Sequence, residues 1–257
     1  MNKLYISLLG SSLFWSVTAL ADSSPSAATT PPPMTVTQAA VAKAHNAEAE
    51  AENTLIAQVS KDQSAGNWAG AEAGLKELTT MNPSRWDYFQ SLGDVQFNQG
   101  KYADAVKSYA TGIQGASQDK TDPAGAKQAI GTMYTNQGNA YLKMHDEPEA
   151  TGAFSKAAAL GGNQGTDYFN LCATAYNAGK DKDALDDCNK AIAADPTRAD
   201  AYFIKGSILV GEGETDAKGN FNVPAGTLEA LKTYLKLEPH GKHASDVKAM
   251  LQLITSP

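Results

Sequence analysis

The residue types that could carry chemistry in this chain are few and widely separated. The four histidines show no spacing with Cys or Asp that fits a zinc site, and the two in HGKH (240–243) are better explained by a solvated turn. The stretch DAKGNFN (216–222) alternates oxygen donors as a calcium loop does, but Phe221 stands where such a loop needs glycine. We therefore predict no metal and no cofactor.

The sequence also lacks the short motifs of common enzymes. It contains no Gly-x-Ser-x-Gly, no phosphate-binding loop and no Cys-x-x-Cys-His. The acids of DALDD (183–187) and AEAEAE (47–52) are most simply solvated helix faces. The net charge is −7 and the chain has only two arginines, so its surface repels phosphate backbones. These features predict a protein that is not an enzyme and does not bind nucleic acid.

Three sets of residues recur through the chain with a period of 34. Alanine precedes a bulky or sulfur side chain by four residues at positions spaced 34, 45, 34 and 46, a period of 34 with insertions of 11 and 12 residues. These alanines are Ala71, Ala105, Ala150, Ala184 and Ala230. A second set keeps the same register at Val59, Gly93, Gly138, Cys172 and Gly206. A third set lies where one helix must turn into the next: Gly66, Gly100, His145, Gly179 and Gly213.

This pattern predicts stacked pairs of antiparallel helices. Two helices approach closely only where small side chains meet, which explains the alanines and glycines at matched places. A glycine between the helices permits the left-handed conformation that ends the first one. Pro83 and Pro196 cannot continue a helix, so they end the second one. A single pair buries too little apolar surface, and neighbouring pairs must therefore stack.

The stretch FQSLGDVQFNQGKYADAVKSY (89–109) resembles the tetratricopeptide repeat, which sets an aromatic, Leu-Gly, Tyr and Ala-x-x-x-Phe over 34 residues. The resemblance covers about 52–239, although Val59, Cys172 and His145 replace expected glycines. It implies an all-α fold, an α-solenoid in which helix–turn–helix repeats form a right-handed superhelix. A C-terminal capping helix would close the stack.

The N-terminal region has the composition of an exported protein. Residues 1–21 predict a signal peptide, since Lys3 precedes an apolar run and small residues end at Ala21, although an uncleaved anchor helix is the alternative. Residues 22–35, rich in Pro, Ser and Thr, predict a disordered tether, and 36–51 an Ala/Glu-rich helix. We therefore expect the protein in the periplasm or outside the cell, with no integral membrane span after signal cleavage.

The repeat domain is predicted at 52–242, with about five repeats. Its two insertions lie near 118–130, where Asp122 and a following proline can cap and lengthen the next helix, and near 211–226, which favours a short hairpin or extended loop. Residues 243–257 are predicted to form the capping helix and a tail.

The family resemblance suggests a role for the two cysteines. In the geometry of tetratricopeptide repeats, the positions of Cys172 and Cys188 face each other within one unit. An exported protein meets an oxidising compartment, so we hypothesise a disulfide between them. Two buried free thiols that fill space are the alternative.

The resemblance further implies a concave groove, lined by the first helix of each repeat, that binds an extended peptide or a helix. The implied residues include amides and aromatic rings, which suit peptide recognition. Phe169 and Phe203 could instead belong to the core between units. The full set is Asp87, Gln90, Asp94, Phe97, Asn98, Thr135, Asn139, Leu142, Lys143, Phe169, Ala173, Tyr176, Asn177, Phe203, Ser207 and Val210.

Together these features predict a periplasmic or secreted adaptor, monomeric or weakly oligomeric, that holds a peptide or protein partner in its groove. The alternative is a structural scaffold of the cell envelope or cell division, acting through the N-terminal helix and tether. A trimeric coiled coil formed by residues 36–63 would favour that second role.

Overall fold

The computed structural model of this protein describes residues 36–255, so the predicted signal peptide and tether lie outside the described residues. This part of the chain is helical apart from one hairpin of two short strands. In chain order the elements are α1 (Val36–Ser64), α2 (Trp68–Met81), α3 (Trp86–Asn98), α4 (Tyr102–Gln118), α5 (Pro123–Lys143), α6 (Glu147–Leu160), α7 (Gln164–Asn177), α8 (Asp181–Ala194), α9 (Ala199–Gly211), β1 (Glu214–Thr215), β2 (Phe221–Asn222), α10 (Thr227–Leu237) and α11 (Ala244–Thr255).

The structure divides into two compact units at residue 46. In the first unit, residues 36–45 are helical and their described side chains are exposed. The second unit, 46–257, holds the rest of α1 and every later element. All packing discussed below lies within this second unit.

Helices α1 to α10 form five successive pairs, each pair joined by a short turn except the last. This confirms the predicted all-α class and the recurrence of helix pairs in register. Within four of the pairs, the fourth being the exception, a glycine on one helix receives a larger side chain from the other. A Cβ placed on Gly93 would lie 2.5 Å from the ring of Tyr109, and one on Gly138 would lie 2.5 Å from the ring of Phe154. The two helices of each of these pairs therefore lie closer together than a residue larger than glycine at this position would permit.

The first and fifth pairs use the same principle with different residues. In the first pair, Val59 stands on α1 where glycine is expected, and Gly74 on α2 supplies the missing space, since its Cβ would lie 2.6 Å from the valine. In the fifth pair, Gly206 faces Leu231 rather than the aromatic Tyr234. The requirement is thus for one small residue at the contact, and either helix can provide it.

Left-handed residues end the first helix of four pairs, as predicted. The φ angles are 72° at Gly66, 77° at Gly100, 68° at Gly179 and 58° at His145. The prediction for Gly213 was wrong. There α9 ends at Gly211 and the β-hairpin follows at once, so no tight turn is needed.

The two insertions extend the repeat pattern without breaking it. Asp122 accepts a hydrogen bond from the backbone N–H of Gly125 (2.9 Å) and Pro123 occupies the first helical position, so α5 begins early and reaches 21 residues. The second insertion forms the antiparallel β1–β2 hairpin, whose turn is held by hydrogen bonds from the backbone N–H groups of Lys218 and Asn220 to Asp216.

Helix α11 covers the end of the stack. Its Ala244 and Val247 are buried against Leu231 and Tyr234 of α10. The backbone N–H of His243, just before α11, donates a hydrogen bond to the Tyr234 hydroxyl at 3.0 Å. The helix thus supplies the apolar cover that a next repeat would otherwise provide.

Candidate protein-binding face

The first helices of the pairs, α3, α5, α7 and α9, carry the residues predicted to bind a partner. We call the surface that they present the first-helix face. Several of these side chains join one helix to the next instead of standing free, and their contacts separate the predicted residues into two groups.

Asp94 on α3 belongs to the first group. Its carboxylate accepts hydrogen bonds from the Tyr109 hydroxyl of α4 (2.7 Å) and from the side-chain amide of Asn136 on α5 (3.0 Å). Burial raises the pKa of Asp94 to about 6, and the two hydrogen bonds only partly oppose this effect. Asp94 therefore ties the second pair to the third through its Oδ1 atom.

Thr135 on α5 has a comparable role one pair further on. Its hydroxyl donates a hydrogen bond to the carboxylate of Asp167 on α7 at 2.6 Å. Asp167 is only 1% exposed, and burial raises its pKa. Asn136 and Asp167 are not among the residues predicted from the sequence. The one available signal was their polarity on helix faces that the repeat makes largely apolar.

Four further predicted residues are engaged by their own chain. The Arg85 guanidinium donates two hydrogen bonds to Asp87, at 2.9 and 2.7 Å. The three aromatic rings have neighbours as well: Phe97 meets Tyr102 edge-on with ring centroids 5.3 Å apart, Arg198 lies 5.3 Å above Phe169, and His243 stacks on Phe203 at 3.7 Å.

The predicted residues with small or apolar side chains mostly fill space between helices. Leu142, Ala173 and Val210 are half-buried against core clusters. The Ser207 hydroxyl oxygen is buried and has no hydrogen-bond partner in the described part of the chain. These residues support the first-helix face more than they present chemistry on it.

The second group consists of six side chains that make no hydrogen bond or ion pair with residues 36–255. Gln90, Asn139 and Tyr176 are half-buried, and the other three are exposed. They are distributed along three consecutive first helices, α3, α5 and α7. The six are Gln90, Asn98, Asn139, Lys143, Tyr176 and Asn177.

The cysteine pair lies beneath this face. Cys172 on α7 and Cys188 on α8 are both fully buried and form a disulfide, with their Cα atoms 5.0 Å apart. The predicted pairing is therefore present in the structure. The disulfide joins α7, which carries Tyr176 and Asn177, to the acidic helix α8.

The described residues contain no group of three or more His, Cys, Asp or Glu side chains that could hold a metal ion. Within the same residues, no helix combines the length and apolar character needed to cross a membrane.

Solved structures with the same architecture define the class of this fold. MamA shares 19% identity with this chain at a TM-score of 0.58, over 77% of this chain and 96% of MamA. YrrB, a TPR protein with an unusual peptide-binding site, shares 17% identity at a TM-score of 0.55, over 74% of this chain and 88% of YrrB. PilW, a widely conserved type IV pilus biogenesis factor, shares 14% identity at a TM-score of 0.57, over 82% of this chain and 88% of PilW. The fold is an α-solenoid of stacked helix pairs.

Residues 56–120 match the tetratricopeptide repeat family. These residues are tetratricopeptide repeats, as their sequence pattern predicts, and the repeats together have the fold of solved proteins such as YrrB. A search of curated proteins found no match.

Proposed function

We propose that this protein is an exported, non-catalytic adaptor that holds an extended peptide or protein segment in a concave groove formed by the first-helix face. The observation that carries this proposal is the set of six polar side chains on α3, α5 and α7 that make no hydrogen bond or ion pair within residues 36–255. Elsewhere on the same helices, polar groups such as Asp94 and Thr135 are already paired.

The chemistry of the six residues suits a peptide backbone. Amide side chains both donate and accept hydrogen bonds, so Gln90, Asn98, Asn139 and Asn177 can pair with N–H and C=O groups of an extended chain. Tyr176 adds apolar contact area and a hydroxyl at little entropic cost. Lys143 is the one charged member of the set, which favours a partner that brings a single acidic group near α5.

Export rests on the N-terminal sequence and is compatible with the disulfide, since such bonds persist in oxidising compartments. Cell fractionation of a tagged full-length chain tests this part of the proposal. We expect a processed form, shortened by the predicted 21 residues, in the periplasm or medium, and recovery in the cytosol would contradict it.

One observation favours the scaffold role as a second candidate. Helix α1 begins at Val36, so it extends beyond the repeat unit, and its described side chains from 40 to 45 are exposed. Light scattering of the mature chain and of a form that starts at residue 46 distinguishes the two roles. Loss of an oligomer on truncation supports the scaffold, and an unchanged monomer supports the adaptor.

The groove is tested by site-specific photo-crosslinking in the native cell. A photoreactive residue at Asn139 should capture a discrete partner, and one at the exposed Gln114 on α4 should not. Substitution Tyr176→Ala should then reduce capture at position 139 by several-fold. Equal capture at both positions would place the partner elsewhere.

A further inference from the structure

A second cleft lies between the second helices of the third and fourth pairs, and Asn177 of the first-helix face also lines it. Helices α6 and α8 form its walls and α7 forms its floor, and it encloses about 940 Å³. We call this cleft the α6–α8 groove. Its volume is at the upper end of the range of about 300–1,000 Å³ in which ligand sites usually fall.

The α6–α8 groove has an apolar part lined by side chains that project little. Leu171 of α7, which is 7% exposed, and Ala175 line its floor, and Ala158 lines the α6 wall. Small residues allow the backbone of another helix to approach closely, as they do between the helices of this protein. The two walls are 14 residues long each, so a segment of about 14 residues in helical form would match their length of about 21 Å.

The walls carry a negative charge on both sides. The charged lining residues are four acids and two lysines: Glu147, Asp183, Asp186, Asp187, Lys180 and Lys190. Lys190 already pairs with Asp186 at 2.6 Å and with Asp187 at 3.1 Å. Glu147 on α6 and Asp183 on α8 are exposed and make no ion pair or hydrogen bond within the described part of the chain.

The protein itself shows how a cation sits in this groove. The Lys190 ammonium lies 5.6 Å from the centroid of the Tyr168 ring on the floor, between the two carboxylates of α8. This arrangement combines ion pairing with a cation–π contact. Glu147 and Asp183 offer further carboxylates to a second cation, and no lysine or arginine among residues 36–255 pairs with them.

We propose that the α6–α8 groove binds a basic amphipathic helix of a partner protein. The apolar stripe of that helix packs on Leu171 and its alanine neighbours, while its Lys or Arg side chains pair with Glu147 and Asp183. A second copy of this chain fits poorly, because its net charge of −7 opposes approach to an acidic groove. Residues 1–35 fit poorly too, since Lys3 is their one basic residue.

Two labelled 14-residue model helices serve as probes, one with Lys and one with Glu on the polar face and with identical apolar residues. Fluorescence anisotropy with the mature chain measures their binding at about 0.15 M salt, where long-range attraction is screened. We expect the Lys peptide to bind at least tenfold more tightly than the Glu peptide. Equal affinities, or no binding of either peptide at 1 mM protein, would overturn the proposal.

A pair of double variants separates the groove from general charge. Glu147→Lys with Asp183→Lys should weaken binding of the Lys peptide at least fivefold. The control is Glu77→Lys with Asp104→Lys, which changes the net charge equally at exposed acids of α2 and α4, and it should change the affinity less than twofold. Asp104 precedes the repeat alanine of α4 as Asp183 precedes that of α8, so the two positions match in register. Equal losses in both double variants would contradict the proposal.

The apolar part of the groove is tested without a change of charge. Ala159→Tyr on α6 places a ring at the groove lining and should reduce binding, whereas Ala110→Tyr at an exposed site of α4 should not. Asn139→Ala on the first-helix face should also leave the affinity unchanged, which keeps this test separate from that of the proposed adaptor function. Binding lost with Asn139→Ala and kept with Ala159→Tyr would assign the Lys peptide to the first-helix face and overturn the proposal.

Discussion

Cys172 and Cys188 form a disulfide at the position where the second and third helix pairs place a glycine against an aromatic ring. In those pairs Gly93 meets Tyr109 and Gly138 meets Phe154, so the helices are held by close packing. The fourth pair gives up both the glycine and the ring, and a covalent bond joins α7 to α8 instead. The same place in the repeat therefore has two physical solutions.

We expect removal of the disulfide to destabilise the protein. The bond closes a loop of 16 residues, so Cys172→Ala with Cys188→Ala should lower the free energy of unfolding by about 3 kcal/mol. Urea denaturation followed by circular dichroism measures the change. The double variant Cys172→Gly with Cys188→Tyr restores the pairing seen in α3 and α4, and it should recover part of the loss. A rescue variant no more stable than the alanine variant would show that the two solutions are not equivalent.

Glycine-to-alanine substitutions should have opposite effects on stability at a crowded and at an open helix position. Gly93→Ala places a methyl group 2.5 Å from the ring of Tyr109, and overpacking of this kind costs about 1–3 kcal/mol. Gly152→Ala on α6 meets nothing within 4 Å and lies inside a helix, so it should stabilise the protein by about 0.5–1 kcal/mol. Thermal unfolding of both variants checks the signs. Destabilisation by both would mean that Gly152 has a role the packing does not show.

Asp94 predicts a pH dependence of stability in an unusual direction. Its pKa is raised to about 6 in the folded protein from an ordinary value of 3.8, so the folded state favours the protonated form. Its contribution to stability is complete below pH 3.8 and is lost as the pH rises through 6. Asp94→Asn keeps an acceptor oxygen for Tyr109 and Asn136 without the charge. At pH 7 this variant should be more stable than the wild type by about 1–3 kcal/mol.

The measurement for Asp94 is urea denaturation at pH 4, 5, 6 and 7. The difference between Asp94→Asn and wild type should grow with pH across this range. Asp104→Asn, at an exposed position of α4, should differ from wild type by less than about 0.5 kcal/mol throughout. A constant difference for Asp94→Asn between pH 4 and 7 would refute the predicted pH dependence.

His145 holds a left-handed conformation that the other repeats assign to glycine. Its φ of 58° costs a residue with a Cβ about 1–2 kcal/mol relative to the ordinary helical region. His145→Gly should therefore raise the melting temperature, while Gly100→Ala at the equivalent turn of the second pair should lower it. A lower melting temperature for His145→Gly would contradict the predicted cost of the left-handed histidine.

Local sequence was sufficient to predict the helix pairs, their turns and the early start of α5. The 34-residue period predicts the helix pairs, and the residues at Gly66, Gly100 and His145 mark their turns. The Asp-Pro cap at 122–123 predicts the start of α5. The disulfide was predicted from the resemblance to tetratricopeptide repeats, whose geometry places Cys172 and Cys188 opposite each other within one unit. Gly213 departed from the pattern because a hairpin, and not a tight turn, follows α9.

Contacts between one helix pair and the next were decided only by the tertiary structure. Spacing along a helix shows which side chains share a face, but the angle and separation of whole helices decide which of them meet. That geometry pairs Asp94 with Asn136 and Thr135 with Asp167, and it opens the α6–α8 groove. It leaves the side chains of Asn139 and Tyr176 without a hydrogen bond to the described part of the chain. The repeating sequence thus determines the architecture, while the packing of successive pairs determines which surfaces remain available to a partner.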